Sequence, residues 1–341
     1  MRKVIAGLAV LAIVSVGCAG ASRAQGSSDV LRLGLFPNLT HAPGYVALEQ
    51  SFLEERLAPA HVEVTYFNSG TDAGNALLAG SIDATYIGPG PAVGLYLQSD
   101  GGVAIVSGAT SGGATLVVRT GAGIRRPADL RGKRVAVPGY GNTQDVALRT
   151  WLHEHGLAAN DEGGDVSVKA IDNPELLALF RAGHLDAAWE PEPWPSLLVS
   201  EGLAEPLVDE AELWPGGTFA TTVLLVRTAY LEAHGSVARG LIAANVDALE
   251  AIRDDPGSSK AAAQAGLIQA GAPSLDQAVV DHAWDRLTFS WDPASSSVAE
   301  GAEHAFALGY LPERPGDLSA LFRLADLNRE LRARGLEEVS A

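Results

Sequence analysis

Two stretches of the chain, about 100 residues apart, show the same order of apolar and polar positions. In the first, apolar runs at 31–36 and 62–67 alternate with stretches of helical periodicity. In the second, apolar runs at 135–137 and 166–171 alternate with helical stretches in the same way. Each stretch reads strand, helix, strand, helix, strand, which is typical of a parallel sheet covered by helices. We predict that each stretch forms one α/β lobe.

A shared sequence string favours a duplication of this unit. The pattern A-G-x-(I/L)-D-A-x-(Y/W) occurs at 79–86 and again at 182–189. Its glycine fits the left-handed residue that ends a helix. Its aspartate can accept hydrogen bonds from backbone amides in a turn. We therefore interpret Asp83 and Asp186 as structural residues.

The two lobes are not simply consecutive along the chain. Strands rich in Val, Leu and Thr are predicted at Thr115–Arg119 and Thr222–Arg227, and only helices are predicted after the second of them. Those helices need a sheet to cover. The economical arrangement has two crossing strands, with lobe one formed by residues 29–116 and 225–341 and lobe two by residues 117–224. The expected fold class is therefore α/β, with two lobes, parallel-rich sheets, two crossing hinge strands and a helical C-terminal region.

The cleft between the lobes is the expected binding site, because open α/β sheets bind ligands at the C-terminal edge of their strands. Some residues there have a structural alternative, since Thr and Asn also cap helices and Trp also fills cores. Following each strand to its end gives these candidate ligand-binding residues: Asn38, Thr40, His41, Gly88, Pro89, Thr110, Ser111, Gly141, Asn142, Thr143, Trp189 and Glu190.

Several predicted helices begin at this edge of the sheets. The free amide groups of a first helical turn carry partial positive charge and bind anions. An anion could therefore be held here without an arginine. Glu190 directly follows Trp189 at the end of a strand. It either points away from the site or meets a positive or hydrogen-bond-donating part of the ligand, and the second case favours a zwitterion.

Composition removes several classes of function. Lys and Arg total 24 against 41 Asp and Glu, and the resulting net charge of −17 would repel nucleic-acid phosphates. The single cysteine excludes an intramolecular disulfide and a CxxC redox site. The chain has no complete dinucleotide fingerprint, no Walker loop, no GxSxG elbow and no HExxH motif. We expect no cofactor, no metal and no enzymatic activity.

The N-terminus has the pattern of an export signal. Arg2 and Lys3 precede an apolar stretch at 4–16, which is shorter than the roughly 20 residues that span a bilayer. We predict that residues 1–17 form a signal peptide.

The only cysteine, Cys18, follows this apolar stretch directly. The small residues before it resemble a bacterial lipobox, except that Ser15 stands where leucine is usual. We predict lipidation of Cys18, with residues 18–28 as a flexible tether to the membrane. Ordinary cleavage after Ala21 or Ala24 is the alternative.

Four segments together resemble the nitrate/sulfonate/taurine family of ABC-transporter substrate-binding proteins. They are Phe36–Pro43, Asp83–Pro89, Gly141–Leu148 and Trp189–Trp194. The resemblance covers nearly the whole chain after the predicted tether. It implies a type II periplasmic-binding fold, closure of two lobes over a small ligand, and delivery of that ligand to a permease driven by an ATPase.

The resemblance does not identify one ligand. We expect an exported, membrane-anchored or periplasmic monomer that binds a small anionic or zwitterionic solute of the aliphatic sulfonate, taurine or nitrate class. The same superfamily also includes binders of thiamine-precursor pyrimidines and of riboflavin, so a heterocyclic solute is an alternative. An enzyme on the same fold is a less favoured alternative, because the pyrimidine synthase of the superfamily has a cysteine-rich iron motif that this chain lacks. An exported sensor or adaptor subunit is a third class.

Overall fold

Two mixed β-sheets form the centre of the molecule in the computed structural model, which describes residues 30–341. Sheet one contains β1 (Val30–Leu35), β2 (His61–Tyr66), β3 (Ala84–Ile87), β4 (Val103–Gly112), β10 (Ala220–Arg227) and β11 (Leu287–Phe289). Sheet two contains β5 (Ala114–Arg119), β6 (Arg134–Val137), β7 (Ser167–Ala170), β8 (Ala187–Pro191) and β9 (Ala204–Asp209). The predictions for the signal peptide, Cys18 and the tether lie outside the described residues.

Helices cover both sheets, which confirms the α/β fold class. The α-helices of the described residues are α1 (Ala42–Glu49), α2 (Phe52–Leu57), α3 (Gly70–Leu78), α4 (Pro89–Gln98), α5 (Thr143–Glu154), α6 (Asn173–Arg181), α7 (Trp194–Ser200), α8 (Thr228–Ala233), α9 (Gly235–Asp254), α10 (Pro256–Gln269), α11 (Gln277–Trp284), α12 (Ser295–Ala307) and α13 (Ala325–Arg334). None of them is long and apolar enough to cross a membrane. Below, lobe one means sheet one and its helices, and lobe two means sheet two and its helices.

Each sheet has the same parallel core of three strands, extended by antiparallel strands. The order is β11-β4-β10-β3-β1-β2 in sheet one and β7-β6-β8-β5-β9 in sheet two. In sheet one β1 pairs in parallel with β2 and β3, and in sheet two β6 pairs in parallel with β7 and β8. Beside each core lies one antiparallel strand, β10 next to β3 and β5 next to β8, and β4 and β9 pair antiparallel with β10 and β5 in turn. The predicted internal repeat is therefore visible in the topology.

The two aspartates of the repeat make the same contacts in their own lobes. Asp83 Oδ2 accepts hydrogen bonds from the backbone and Nε nitrogens of Arg32, at 3.1 and 2.9 Å. Asp186 Oδ2 accepts hydrogen bonds from the same two nitrogens of Arg134, at 2.9 and 2.8 Å. The arginine lies in the first strand of the unit and the aspartate precedes the third. Each pair therefore fixes two neighbouring parallel strands, and both aspartates are structural.

The chain crosses between the sheets a few residues earlier than expected. β4 leads into β5 through Gly113, whose φ of +70° favours glycine. The return runs from β9 through short 3₁₀ turns to β10. The predicted boundaries at 116/117 and 224/225 thus fall inside β5 and β10, because an apolar run predicts a strand but not the sheet that it joins.

Three strands were not expected from the sequence. No strand is predicted over Ser107–Gly112, but these residues belong to β4, where serine and glycine occupy a fully buried strand. The short strand β11 corrects the expectation that only helices follow β10, and β9 extends sheet two. Each of these three strands lies at a sheet edge or beside a connection between the sheets. It is a strand because it pairs with neighbouring strands, and not because its own residues show an apolar pattern.

Candidate functional site

A cavity lies between the lobes, at the C-terminal ends of the parallel strands. Its empty volume is about 390 Å³, including solvent at its mouth. Lobe one contributes residues after β1, β2 and β3, and lobe two contributes residues after β6 and the last residue of β8. The lining includes six of the predicted site residues: Asn38, Thr40, His41, Gly88, Asn142 and Thr143. The strand-end argument therefore located the cavity correctly, while ligand contact by these residues stays a prediction.

Three helices begin at the cavity wall. Gly70 starts α3, Gly88 directly precedes α4, and Thr143 starts α5. The α4 terminus offers few amides, because two of its first three residues are prolines and the Gly90 amide faces Thr143 Oγ1 at 3.3 Å. The first-turn amides of α5 have no partner within the helix. The start of α5 is therefore the strongest anion-binding element of the wall.

His41 is a neutral hydrogen-bonding group in this wall. Burial lowers its pKa to about 3. Its Nδ1 accepts a hydrogen bond from the backbone amide of Phe36 at 3.3 Å, so the proton of the neutral ring lies on Nε2. The ring stacks on the Phe36 side chain with a centroid distance of 4.8 Å. His41 can therefore donate to a ligand without carrying charge.

A buried polar network joins the lobes beside the cavity. Asn173, at the start of α6, donates to Asn38 Oδ1 at 2.7 Å, and the indole of Trp194 donates to the same oxygen at 2.9 Å. Because Asn38 Oδ1 already accepts these two hydrogen bonds, the NH2 group of Asn38 is the part of its side chain that remains available to a ligand. The network therefore orients one lining residue from the opposite lobe.

Two further contacts close the lobes around the cavity. The Tyr310 hydroxyl of lobe one donates to Asp145 Oδ2 of lobe two. The Asn68 side chain of lobe one donates to Asp172 Oδ2 of lobe two at 3.2 Å. Together with the contact between Gly90 and Thr143, these bonds place the molecule in a closed arrangement.

The lining is polar but almost free of ionisable groups. Among the described residues of the lining there is no Asp, Glu, Lys, Arg, Ser or Cys, and its one histidine is neutral. Asn142 Oδ1 is buried there without a hydrogen-bond partner in the described structure. Elsewhere in residues 30–341, no group of three or more His, Cys, Asp or Glu side chains could hold a metal ion. The arrangement is suited to binding by hydrogen bonds to neutral donors and acceptors.

Trp189 and Glu190 lie outside the cavity lining. The Trp189 side chain is fully buried, and its indole donates to Glu210 Oε2 at 2.7 Å. Glu190 is also fully buried, on the opposite face of β8, and burial raises the pKa of its carboxyl well above its usual range. A protonated Glu190 can donate to the amide oxygen of Asn173, about 3.1 Å away. The structure thus places both residues in the protein interior, outside the lining of the cavity.

Four other predicted site residues also lie outside this lining. Pro89 is in the first turn of α4. The Thr110 hydroxyl donates to the Thr40 carbonyl at 2.7 Å and the Ser111 hydroxyl to the Phe219 carbonyl at 2.6 Å. The Gly141 amide donates to Asp145 Oδ2 at 2.8 Å. Thr110 therefore supports the lining residue Thr40, and the Gly141 amide binds a side chain of the first turn of α5.

Sequence reasoning missed several lining residues. Asn68 and Gly70 follow β2, and the rule that selected the ends of the other strands would have found them. Thr221 and Thr222 line the cavity from the beginning of β10, an antiparallel strand whose first residues lie at the same edge. No local pattern in the sequence indicates that β10 runs antiparallel to its neighbours in the sheet.

Comparison with known proteins gives a family for this chain. The NMT1-like family matches residues 24–267. A protein of Brucella abortus, named as a binding protein, is 33% identical over 148 residues, which are 43% of this chain and 43% of that protein. The chain thus matches less than half the length of that relative.

Two further relatives match more of the chain. The taurine-binding periplasmic protein of Escherichia coli K12 is 26% identical over 225 residues, covering 63% of this chain and 68% of that protein. The alkanesulfonate-binding protein SsuA of Xanthomonas axonopodis pv. citri, solved with bound MOPS, superposes with a TM-score of 0.70 at 22% identity. That superposition covers 84% of this chain and 95% of SsuA and confirms the periplasmic-binding fold. On the extent of the family match and this shared fold, the chain belongs to the NMT1-like family.

Proposed function

We propose that this protein is the extracytoplasmic solute-binding subunit of an ABC importer. It captures a small anionic or zwitterionic solute, of the aliphatic sulfonate, taurine or nitrate class, by closing two lobes over it without chemical conversion. The observation that carries this proposal is the cavity between the lobes, walled by helix N-termini and neutral hydrogen-bonding side chains from both. Its partners are a permease and its ATPase.

The electrostatics of the cavity favour an anion in spite of the net charge of −17. No carboxylate lies in the lining, so the acidic surface is kept away from the ligand. The start of α5, His41 and Asn38 all line this cavity and carry hydrogen-bond donors. A hydrogen bond to a charged group contributes about 1.5–3 kcal/mol. Several such bonds reach the roughly 8 kcal/mol of micromolar binding before ordering costs are subtracted.

The acceptor Asn142 Oδ1 supports the zwitterionic members of this class. It is buried without a partner, and such an atom is costly unless a ligand satisfies it. An ammonium group beside the anion would do so. The relatives named as taurine-binding and alkanesulfonate-binding proteins support the same class of solute.

Closure without chemistry is tested by scattering and by mass spectrometry. Taurine, ethanesulfonate and nitrate are added in turn to the purified protein. We expect at least one of them to reduce the radius of gyration, to appear as a bound mass under native conditions, and to be recovered unchanged. A tightly bound ligand with no change in radius contradicts lobe closure, and recovery of a converted product would show an enzyme.

The membrane anchor is part of this proposal. Cys18 is the only cysteine of the chain and follows the predicted export signal. Labelled fatty acid is expected to enter the wild type and not the Cys18→Ala variant. Equal labelling of both, or a mature N-terminus directly after Ala21 or Ala24, contradicts lipidation and leaves the solute-binding role untouched.

A further inference from the structure

One arginine of lobe one reaches lobe two beside the connections between the two sheets. Arg286 directly precedes β11 of sheet one. Its Nη2 donates hydrogen bonds to Thr115 Oγ1 at 2.7 Å and to Asp209 Oδ2 at 3.0 Å. Its Nε lies 3.0 Å from Glu192 Oε1. The guanidinium thus contacts three groups of lobe two, and none of these four residues belongs to the lining of the cavity described above.

The partners of Arg286 lie at both connections between the lobes. Thr115 follows the crossing at Gly113, and Asp209 is the last residue of β9, where the return to lobe one begins. Glu192 follows β8, and its backbone amide donates to the Gly113 carbonyl at 2.8 Å. Hydrogen bonds of this kind span only about 2.7–3.2 Å. A rotation of lobe two against lobe one that moves these groups therefore breaks contacts of Arg286.

The contact sets one cation against two carboxylates, one of which is buried. The exposed fraction of the side chain is 23% for Arg286, 36% for Asp209 and 1% for Glu192. Burial raises the pKa of Glu192 to about 7, although the charge of Arg286 opposes this rise. Removing one partner of a buried ion pair leaves an uncompensated charge. Loss of the contact with Arg286 is therefore costly while Glu192 is ionised and much less costly once it is protonated.

The elements packed around Glu192 in lobe two supply no second cation. From α7, the Ser196 amide donates to Glu192 Oε2 at 3.2 Å, and this helix contains no titratable side chain. On β8 itself, burial raises the pKa of Glu190 well above its usual range. The charge that Glu192 meets in this surrounding therefore comes from lobe one.

The remaining titratable groups near the contact do not replace this cation either. Glu210 follows Asp209, and burial raises its pKa to about 7. His41, in the loop after β1, is neutral because burial lowers its pKa to about 3. Asp285, next to Arg286, has an exposed side chain. Glu210 titrates in the same pH range as Glu192, so a test must separate the two groups.

We propose that Arg286 is an ionic clamp that holds the two lobes in the closed arrangement and strengthens solute binding as the pH rises from about 6 to about 8. This inference rests on the lobe closure of the proposed function and adds a regulation to it. Closure brings the cation to the Glu192 carboxyl, so the pKa of that group is lower in the closed than in the open arrangement. Closure is therefore favoured as the pH rises through about 7 and disfavoured as it falls.

Scattering of the protein without solute tests the clamp independently of any ligand. The wild type is expected to have a smaller radius of gyration at pH 8 than at pH 6. Arg286→Met removes the cation, and Glu192→Gln keeps an oxygen near it but has no proton to lose. Both variants are expected to lose the pH dependence, and Arg286→Met to have the larger radius at both pH values. The control is Arg329→Met, whose partner Asp326 lies on the same helix of lobe one, and it should match the wild type.

Calorimetry with taurine and ethanesulfonate at the same two pH values measures the consequence for binding. The wild type is expected to bind at least about threefold more tightly at pH 8 than at pH 6. Arg286→Met should weaken both solutes by the same factor at pH 8, because it lowers the population of the closed arrangement without touching the cavity lining. Arg286→Lys keeps the charge and is expected to restore part of the affinity and of its pH dependence.

The contrary outcomes are distinct. A wild-type radius that is the same at pH 6 and pH 8, or a pH dependence that persists in Glu192→Gln, overturns the clamp. A lower melting temperature of Arg286→Met with unchanged radius and affinity also overturns it, because the arginine would then be structural only. If Arg286→Met does not fold, Glu192→Gln and Arg286→Lys decide the question. Failure of the wild type to bind either solute overturns the proposed solute class, while the scattering series still tests the clamp.

Discussion

Asn38 and Asn173 lie in different lobes, yet their side chains share a buried hydrogen bond of 2.7 Å. The bond ties the loop after β1 to the start of α6 and holds the Asn38 amide at the cavity wall. The same asparagine of lobe two lies beside the carboxyl of Glu190, whose pKa is raised by burial. Asn173 lies outside the cavity lining, yet it supports both the site and the contact between the lobes.

Replacement of Asn173 by alanine is expected to weaken both solute binding and the contact between the lobes. The variant leaves Asn38 and Glu190 with one partner fewer in a buried environment, which costs about 2 kcal/mol of unfolding free energy. Solute affinity is expected to fall as well, because Asn38 loses its orientation. Urea unfolding and calorimetry measure the two effects. Asn160→Ala, on the exposed surface of lobe two, is the control, and equal behaviour of the two variants would contradict this role.

Gly88 is expected to be required for closure. A β-carbon there would lie 2.6 Å from Thr143 Oγ1 of the opposite lobe. Gly88→Ala should therefore weaken solute binding at least tenfold, about 1.4 kcal/mol, without loss of thermal stability. Gly94→Ala, within the helix α4 that Gly88 precedes, is the control, because nothing lies within 4 Å of its added carbon.

A second substitution separates closure from other effects of Gly88→Ala. Thr143→Ala removes the oxygen that the new β-carbon would meet. In that background, Gly88→Ala is expected to cause no further loss of affinity in the calorimetric titration. A further tenfold loss would mean that the glycine acts by another route.

The paired aspartates of the repeat predict two different stability losses. Asp83 is fully buried and binds both Arg32 and Arg227, whereas Asp186 is partly exposed and, among the arginines of residues 30–341, binds Arg134 alone. Asp83→Ala is expected to cost about 3 kcal/mol and Asp186→Ala about 2 kcal/mol in urea unfolding. Solute affinity at 25 °C should change in neither variant. The opposite order of losses would contradict the structural interpretation.

Buried glutamates give the stability a pH dependence. Burial raises the pKa of Glu210 to about 7, above its usual value of 4.5. The folded protein therefore holds a proton that the unfolded chain releases, so this contribution is fully present below pH 4.5 and is lost as the pH rises to about 7. The loss is at most about 1.4 kcal/mol per pH unit.

The Glu210→Gln variant tests this dependence directly. Glutamine keeps an oxygen for the Trp189 indole but has no proton to lose. Unfolding free energies measured from pH 4.5 to 7.5 should fall less steeply with rising pH in the variant than in the wild type. Glu192, whose pKa burial also raises to about 7, and His41, whose pKa is lowered to about 3, remain in both proteins and cancel in the comparison. Parallel curves would contradict a protonated Glu210.

The sequence predicted the parts of the fold that depend on local pattern. Apolar periodicity located the three parallel strands of each lobe, and the shared string around Asp83 and Asp186 indicated the repeat. The strand-end rule placed Asn38, His41 and Thr143 at one cavity. These features depend on the direction of strands and on where helices begin, and both are indicated by the type and spacing of residues close together in the sequence.

Other features depend on contacts between distant parts of the chain. The strand β4 contains Ser107, Gly108 and Ser111, and only its pairing with β10 and β11 makes it a strand. Trp189 was expected at the cleft because it ends a strand, but alternation along β8 turns it toward α5, where Trp151 lies 6.1 Å away. The position of Trp189 depends on which face of the sheet its side chain lies on. The five residues of β8 are all buried, so their sequence shows no alternation of apolar and polar residues that would indicate this face.

The start of α5 is the element on which the proposed anion site depends most. Thr143→Asp places a carboxylate against the expected position of the anion, and Thr120→Asp adds the same charge to an exposed loop of lobe two. Calorimetry of the wild type and both variants with taurine and ethanesulfonate is the most direct test of a solute site between the lobes. The wild type is expected to bind at least one of the two ligands, Thr143→Asp to bind it at least tenfold more weakly at an unchanged melting temperature, and Thr120→Asp to match the wild type. Absence of binding by the wild type, or unchanged affinity of Thr143→Asp, would contradict the account.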